Sequence, residues 1–243
     1  MRAKKVVISA LVIILFLLGV SSFKIVDEYK LHNMVSYEGN KYALYLKVKE
    51  HKLLSNEMIV YPENDVNRFF YVKKEKKDTY KDGYVYRLIE PLLYERILGI
   101  QNQDFKNFKY AVMVSNNNDG NLSVSDYDYK EQPELEDFFN KEKKALVTIK
   151  VFVNYGDKLD KLQTANEIGD FINKIMKNKL SNRDVKISFQ FYLVTSKQYV
   201  KINPEKYKFK YKNEIIKDLT IKNIASIECK GQKDYKDKVK ITH

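Results

Sequence analysis

The clearest fold signal in the chain is residues 145–194, which read ALVTIKVFVNYGDKLDKLQTANEIGDFINKIMKNKLSNRDVKISFQFYLV. Apolar side chains recur at every second position over 145–155 and again over 185–193, which is typical of half-buried strands. Between them, one apolar stripe runs through 168–180 at helical spacing. A Thr-Ala-Asn-Glu capping box at 164–167 predicts that the helix starts there.

The order strand, helix, strand predicts a right-handed crossover that joins two parallel strands. Both strands carry a mixed second face, whereas a sheet covered on both sides is apolar on both. We therefore predict an α+β fold built on a two-layer β-sheet with helices on one face.

The first half of the chain has shorter patterns of the same kinds. Period-two alternation predicts strands over 41–49, 58–61 and 68–72, and helical spacing predicts a helix over 84–100, with Pro91 suited to its first turn. An Asp-Gly pair at 119–120 predicts a hairpin turn that pairs the strands 108–115 and 122–127.

The N-terminus has the composition of a membrane anchor. Arg2, Lys4 and Lys5 precede an apolar run over 6–23, and a helix of that length spans about 27 Å of a bilayer core of about 30 Å. The basic residues place the N-terminus in the cytoplasm and residues 24–243 outside it. A secretory signal peptide has the same layout, and its cleavage would make the protein secreted. The long apolar run and the lack of a paired-alanine cleavage site favour an uncleaved, single-pass signal anchor.

Composition divides the chain into five predicted regions. These are the anchor or signal peptide 1–23, a juxtamembrane linker 24–40, a first α+β region 41–130, a charged connector 131–143, and a second α+β region 144–243 with a basic C-terminal tail. The formal net charge is +12, and residues 199–243 hold 12 lysines against six acidic residues. A surface of this charge attracts anionic lipid or wall polymer.

Within the tail, lysines alternate with aromatic residues. As a strand, this stretch would place lysines on one face and aromatic rings on the other; the four lysines are Lys206, Lys208, Lys210 and Lys212. We hypothesise that these lysines contact a polyanion or a membrane. The alternative is a solvent-exposed lysine face that discourages edge-to-edge aggregation.

The residue inventory contains few of the patterns that catalysis requires. The three histidines are far apart in sequence, and no metal-binding pair, phosphate-binding Gly-Lys-Ser/Thr or Gly-x-Ser-x-Gly motif occurs. A single cysteine, Cys229, cannot form an intramolecular disulfide, and we expect it to be a small buried side chain. We therefore predict no catalytic, cofactor-binding or metal-binding residue.

These observations favour a membrane-tethered extracytoplasmic accessory or interaction protein without catalytic activity. The chain is rich in Lys, Asn, Ile and Tyr, which favours a bacterial origin and a partner within a bacterial envelope assembly. Two alternatives stay open. One is an exported carboxylate-dependent hydrolase of cell-wall polymer, which needs two acids across a cleft. The other is a ligand-binding or inhibitory domain with an apolar pocket.

Overall fold

The computed structural model describes residues 2–76, 79–101, 105–116, 123–178, 180, 185–229, 235 and 238–242; for residues 2–20 and 101 it describes the backbone alone. The chain divides into two compact units, Met1–Asp82 and Gly83–His243. The fold is mixed α+β, and each unit contains one four-stranded sheet.

The first unit is a long helix followed by an antiparallel meander. Its elements are α1 Arg2–Tyr42, β1 Leu46–His51, β2 Glu57–Pro62, β3 Phe70–Lys74 and β4 Tyr80–Asp82, in the sheet order β1-β2-β3-β4. Asp82 joins the last strand to the end of α1, since its carboxylate accepts hydrogen bonds from Lys41 at 2.7 Å and from Tyr42 at 2.9 Å.

Helix α1 continues through residues 24–40, the stretch predicted as a juxtamembrane linker. The helix ends where Ala43 adopts a positive φ of 52° and the Leu44 amide donates to the Gly39 carbonyl at 2.9 Å, the hydrogen bond of a Schellman cap. A side chain at position 39 would meet the Leu44 oxygen at 2.9 Å, so glycine allows this close approach. The strand predicted over 41–49 consequently begins only at Leu46.

The predicted anchor 1–23 lies mostly among residues whose side chains are outside the described part of the chain. A search restricted to the described residues finds no helix with an apolar stretch long enough to cross a membrane. The anchor therefore stays a prediction.

The second unit is built on a sheet of order β5-β6-β7-β8. Its elements are α2 Tyr84–Gln101, β5 Phe108–Ser115, α3 Leu135–Lys141, β6 Leu146–Asn154, α4 Lys161–Lys177, β7 Lys186–Val194, α5 Ser196–Lys201, a 3-10 helix Pro204–Tyr207, α6 Lys212–Leu219 and β8 Asn223–Cys229. Strands β6 and β7 are parallel neighbours, as predicted, and the other pairs are antiparallel.

Helices cover both faces of this sheet, so the prediction of helices on one face is wrong. One face joins α2 and α4 in the main core, which includes Val112, Val151 and Phe171. On the other face, Phe152 of β6 packs in a second cluster with Ile215 of α6. The polar residues of this face were interpreted as solvent-exposed. One of them is a buried lysine that donates its hydrogen bonds to backbone carbonyls rather than to water, as described below.

Two other local predictions differ from the structure. Helix α4 begins at Lys161, where the Asp160 carboxylate accepts a hydrogen bond from the Gln163 amide at 3.0 Å, so Thr164 lies buried inside the helix. Helix α2 covers the predicted range as Tyr84–Gln101, but Pro91 lies within it and not in its first turn.

The predicted hairpin after β5 is also wrong in its pairing. Residues 123–127 form no strand, and β5 pairs with β6 through all eight of its residues. The predicted turn residues 117–122 lie outside the described part of the chain. The predicted charged connector 131–143 lies inside the second unit, where α3 buries Phe138 and Phe139.

Two glycines, Gly83 and Gly99, can be compared to test how closely Ser123 packs against the start of α2. A Cβ at Gly83, just before α2, would lie 2.1 Å from the Ser123 carbonyl oxygen, whereas a Cβ at Gly99 within α2 meets no atom within 4 Å. We expect Gly83→Ala to lower the free energy of unfolding by about 1–3 kcal/mol through this overlap. Gly99→Ala should raise it by about 0.5–1 kcal/mol, because alanine favours the helix. Urea unfolding of both variants checks this, and equal effects would contradict the described approach of residues 83 and 123.

Candidate functional site

The stretch that carries the four predicted contact lysines is not a strand. Residues 204–207 form a 3-10 helix, in which Pro204 occupies the first turn and the Asn203 side chain accepts a hydrogen bond from the Glu205 amide at 3.1 Å. Helix α6 then begins at Lys212. The lysines therefore do not share one face.

The four lysines have different surroundings. Lys206 and Lys212 are exposed. Lys208 is nearly buried and its Nζ lies 2.9 Å from a carboxylate oxygen of Glu90, while Lys210 forms an ion pair with Asp218. Two of the four charges are thus neutralised within the protein, and contact of these lysines with a polyanion or membrane stays a prediction.

Lys150 holds the turn that contains these lysines. It lies on β6 and is buried, and its Nζ donates to the carbonyls of Tyr207, Lys208 and Lys210 at 3.2, 2.7 and 2.6 Å. Burial lowers the pKa of Lys150 to about 8. Only the charged ammonium has three hydrogens to donate, so the complete set of bonds belongs to the protonated form.

A buried ion pair of α2 binds the backbone of β5 at Val114, on the side of the strand that faces away from β6. The Val114 amide donates to Glu90 Oε1 at 2.9 Å, and Arg87 Nη2 donates to the Val114 carbonyl at 2.9 Å. Arg87 and Glu90 also pair with each other at 2.6 Å, with side chains only 2% and 3% exposed. These two side chains bind the strand backbone where a neighbouring strand would otherwise lie.

Sequence reasoning missed this pair, although a signal exists. Arg87 and Glu90 are two opposite charges three positions apart within the apolar stripe of the predicted helix 84–100. Charged residues on the buried face of a helix are rarely present unless they are paired.

Farther along β5, the outer edge borders α2 and the segment 202–208, and Tyr110 and Val112 there are only 3% and 1% exposed. In an antiparallel pair, successive residues direct their backbone groups alternately toward and away from the neighbouring strand. The Asn154 amide donates to the Asn107 carbonyl, so the odd-numbered residues of β5 face β6, and the contacts of Val114 with α2 show that the even-numbered residues face outward. The N–H and C=O groups of Tyr110 and Val112 therefore point to the outer edge. Among the described residues, β5 has β6 as its one strand neighbour.

A cleft of about 840 Å³ lies along this edge. Its walls come from α2 over 90–98, from β5 over 108–112, and from the segment 202–208. Phe105 and Phe108 contribute apolar surface, and the rings of Tyr94 and Tyr110 lie 4.9 Å apart. Burial raises the pKa of Tyr110, whose hydroxyl donates to the Tyr94 carbonyl at 3.3 Å.

Charged residues of the cleft mainly hold its walls in place. Lys109 donates to the carbonyls of Tyr199 and Ile202 at 2.8 and 3.0 Å and so fixes the third wall to β5. Glu90 and Lys208 join the same wall to α2. The walls are therefore formed by the folded chain itself.

Three carboxylates line the cleft, those of Glu90, Glu95 and Glu205. Both oxygens of Glu90 are engaged with cations and an amide. Burial raises the pKa of another acid, Glu142, but this side chain hydrogen-bonds to Ser125 and Tyr86 and does not line the cleft.

Other reactive groups are scarce in the described part of the chain. No group of three or more His, Cys, Asp or Glu residues there is placed to hold a metal ion. Cys229 is buried, as predicted, and burial raises the pKa of its thiol to about 12, so the thiol stays protonated.

Comparison with known proteins adds little to this geometry. No family model matches the chain, and no curated protein matches it. Among solved structures, the chain is similar to the crystal structure of a DUF5037 family protein from Ruminococcus gnavus, at 16% sequence identity, over 81% of this chain and 88% of that chain, with a TM-score of 0.44. A likeness at this level carries no argument about function.

Two glutamates contact Lys208, and substituting each in turn tests the ion pairs that join Glu90 to Arg87 and Lys208. Glu90 is 3% exposed and lies 2.9 Å from Lys208 Nζ, whereas Glu205 is 54% exposed and lies 3.6 Å away. Glu90→Gln should lower the free energy of unfolding by about 3–5 kcal/mol, because it leaves buried cations uncompensated. Glu205→Gln should change it by less than about 1 kcal/mol. Chemical unfolding of both variants measures the difference, and similar losses would show that Glu90 is not the buried centre of the network.

Proposed function

We propose that the protein is a membrane-tethered, extracytoplasmic interaction protein that binds an extended segment of a partner protein along the outer edge of β5. Addition of a strand to an open sheet edge is a common way to recognise a peptide, because backbone hydrogen bonds supply affinity and side-chain pockets supply specificity. The partner belongs to a bacterial envelope assembly.

The observation that carries the proposal is the outward backbone of Tyr110 and Val112 beside a cleft. Unpaired donors and acceptors on an edge strand are a template for another strand, and proteins usually cover such edges. Here the Arg87–Glu90 pair covers the edge at Val114. The edge at 110–112 instead borders a cleft of about 840 Å³, which is within the range of ligand sites.

The cleft also indicates what the bound segment looks like. Phe105, Phe108 and the paired rings of Tyr94 and Tyr110 favour apolar or aromatic side chains. Because side chains alternate along a strand, we expect such residues at every second position of the segment. Glu95 and Lys106 among the lining residues add polar contacts.

The tether and the location rest on the N-terminal sequence. The apolar run 6–23 behind three basic residues supports an anchor with residues 24–243 outside the cytoplasm. A non-catalytic role is supported by the ion-paired state of Glu90 in the cleft. The hydrolase alternative would need a second, protonated acid facing it.

The proposal predicts which amides a bound peptide protects. Peptides selected from a random display library against the full chain should carry alternating apolar residues. On binding, the amide hydrogens of Tyr110 and Val112 should exchange more slowly, since they gain a strand partner, whereas the amide of Ala111 already faces β6. Hydrogen exchange read residue by residue measures this.

A pair of leucines on helix surfaces supplies the control. Leu98 of α2 lines the cleft, whereas Leu162 of α4 is 76% exposed and lies outside it. Leu98→Asp should abolish peptide binding and Leu162→Asp should preserve it, with unfolding curves confirming that both variants are folded. Selected peptides that bind without slowing exchange at residues 110 and 112, or that bind Leu98→Asp normally, would overturn the proposal.

A further inference from the structure

A group of exposed apolar side chains lies in the first unit and begins at the last residue of the N-terminal apolar run. Four are on α1 and two are on the loop between β1 and β2: Phe23, Ile25, Val26, Tyr29, Leu53 and Leu54, each between 52% and 69% exposed. We call this group the apolar collar. At 100° per residue, its four α1 members cover an arc of about 160° on the helix.

Polar contacts hold the loop against the helix at this level. The Asp27 carboxylate accepts from the Leu54 amide at 2.8 Å and lies 2.9 Å from His51 Nε2. Burial alone would raise the pKa of Asp27, but the Leu54 amide and His51 outweigh it and lower the pKa. Lys30 donates to the loop at Ser55 and Asn56. The position of the two leucines beside α1 is therefore set by the fold.

The loop presents these leucines at a conformational cost. Leu54 has a φ of 62°, a region in which glycine or asparagine is usual and a branched side chain is strained. The loop nevertheless leaves both leucine side chains in solvent. Apolar side chains held in this way stabilise the protein only when another surface covers them and removes them from water.

The position along α1 identifies that surface. Helix α1 is continuous from Arg2 to Tyr42, so the six residues that follow the apolar run 6–23 extend about 9 Å beyond it. If residues 6–23 span the bilayer core, that distance places the collar at the boundary between headgroups and acyl chains, where apolar side chains and tyrosine concentrate. Lys24 and Lys52 are exposed at the same level and suit anionic headgroups.

From these observations we propose that the apolar collar inserts into the outer leaflet of the bilayer and seats the first unit on the membrane surface, with Leu53 and Leu54 embedded. This inference rests on the tether in the proposed function. The alternatives to lipid are a second copy of this chain and a partner protein. The experiment distinguishes both from lipid.

The chain contains no tryptophan, so a single introduced tryptophan reports its own surroundings. We would reconstitute full-length Leu53→Trp into phosphatidylcholine–phosphatidylglycerol vesicles and measure its emission with and without lipid brominated near the headgroup end of the acyl chain. Full-length Val66→Trp is the control, because Val66 is 56% exposed in the connection at the opposite end of β2. Vesicle flotation measures the tether separately.

The expected result is flotation of both variants, with short-wavelength emission and bromolipid quenching for Leu53→Trp alone. Flotation without quenching at position 53 would overturn the collar and leave the tether in place. Short-wavelength emission that bromolipid does not quench would assign the collar to a protein surface and would also overturn the inference. Failure of both variants to float would contradict the tether, and the collar with it.

Discussion

The Glu90 carboxylate accepts a hydrogen bond from the Val114 amide and forms ion pairs with Arg87 and Lys208, and it is almost fully buried while doing so. This one group holds three elements in a fixed arrangement: α2, the edge strand β5 and the segment after the 3-10 helix. A buried carboxylate persists only when such partners compensate its lost hydration. The network closes the β5 edge at Val114, and the space it leaves beside Tyr110 and Val112 is the cleft.

Lys150 has the same role on the other face of the sheet. Its ammonium binds three carbonyls of a turn that has little regular structure of its own, and so fixes the third wall of the cleft to β6. Backbone carbonyls without helical or strand partners need such donors when water is excluded. Glu90 of α2 and Lys150 of β6 thus both hold the walls of the cleft.

Long periodic segments could be predicted from sequence, because burial of one face determines their pattern. This holds for β6, α4 and β7, whose parallel pairing also follows from the crossover rule. The alternation of lysine and aromatic residues over 206–212 failed as a strand signal, since Pro204 and Asn203 start a 3-10 helix there and Lys150 satisfies the turn that follows. The cleft could not be predicted, because it depends on which strand lies at the edge, and strand order is a long-range property.

The two proposed surfaces belong to different units and have different chemistry. The collar on α1 and the β1–β2 loop is apolar with exposed lysines, which suits lipid. The cleft of the second unit offers a strand edge and aromatic walls, which suits a peptide. A protein with these two proposed surfaces would hold a partner segment near the membrane.

The central claim is that Glu90 and Arg87 bind the β5 edge at Val114 while the backbone groups of residues 110 and 112 have no strand partner among the described residues. Hydrogen exchange of the free protein, read residue by residue along β5, tests this most directly. We expect slow exchange of the amides of Ala111, Met113 and Val114 and faster exchange of those of Tyr110 and Val112. Equal protection of all five would mean that the amides of residues 110 and 112 are already bonded, and fast exchange at Val114 would mean that Glu90 does not hold it; either result would contradict the described edge.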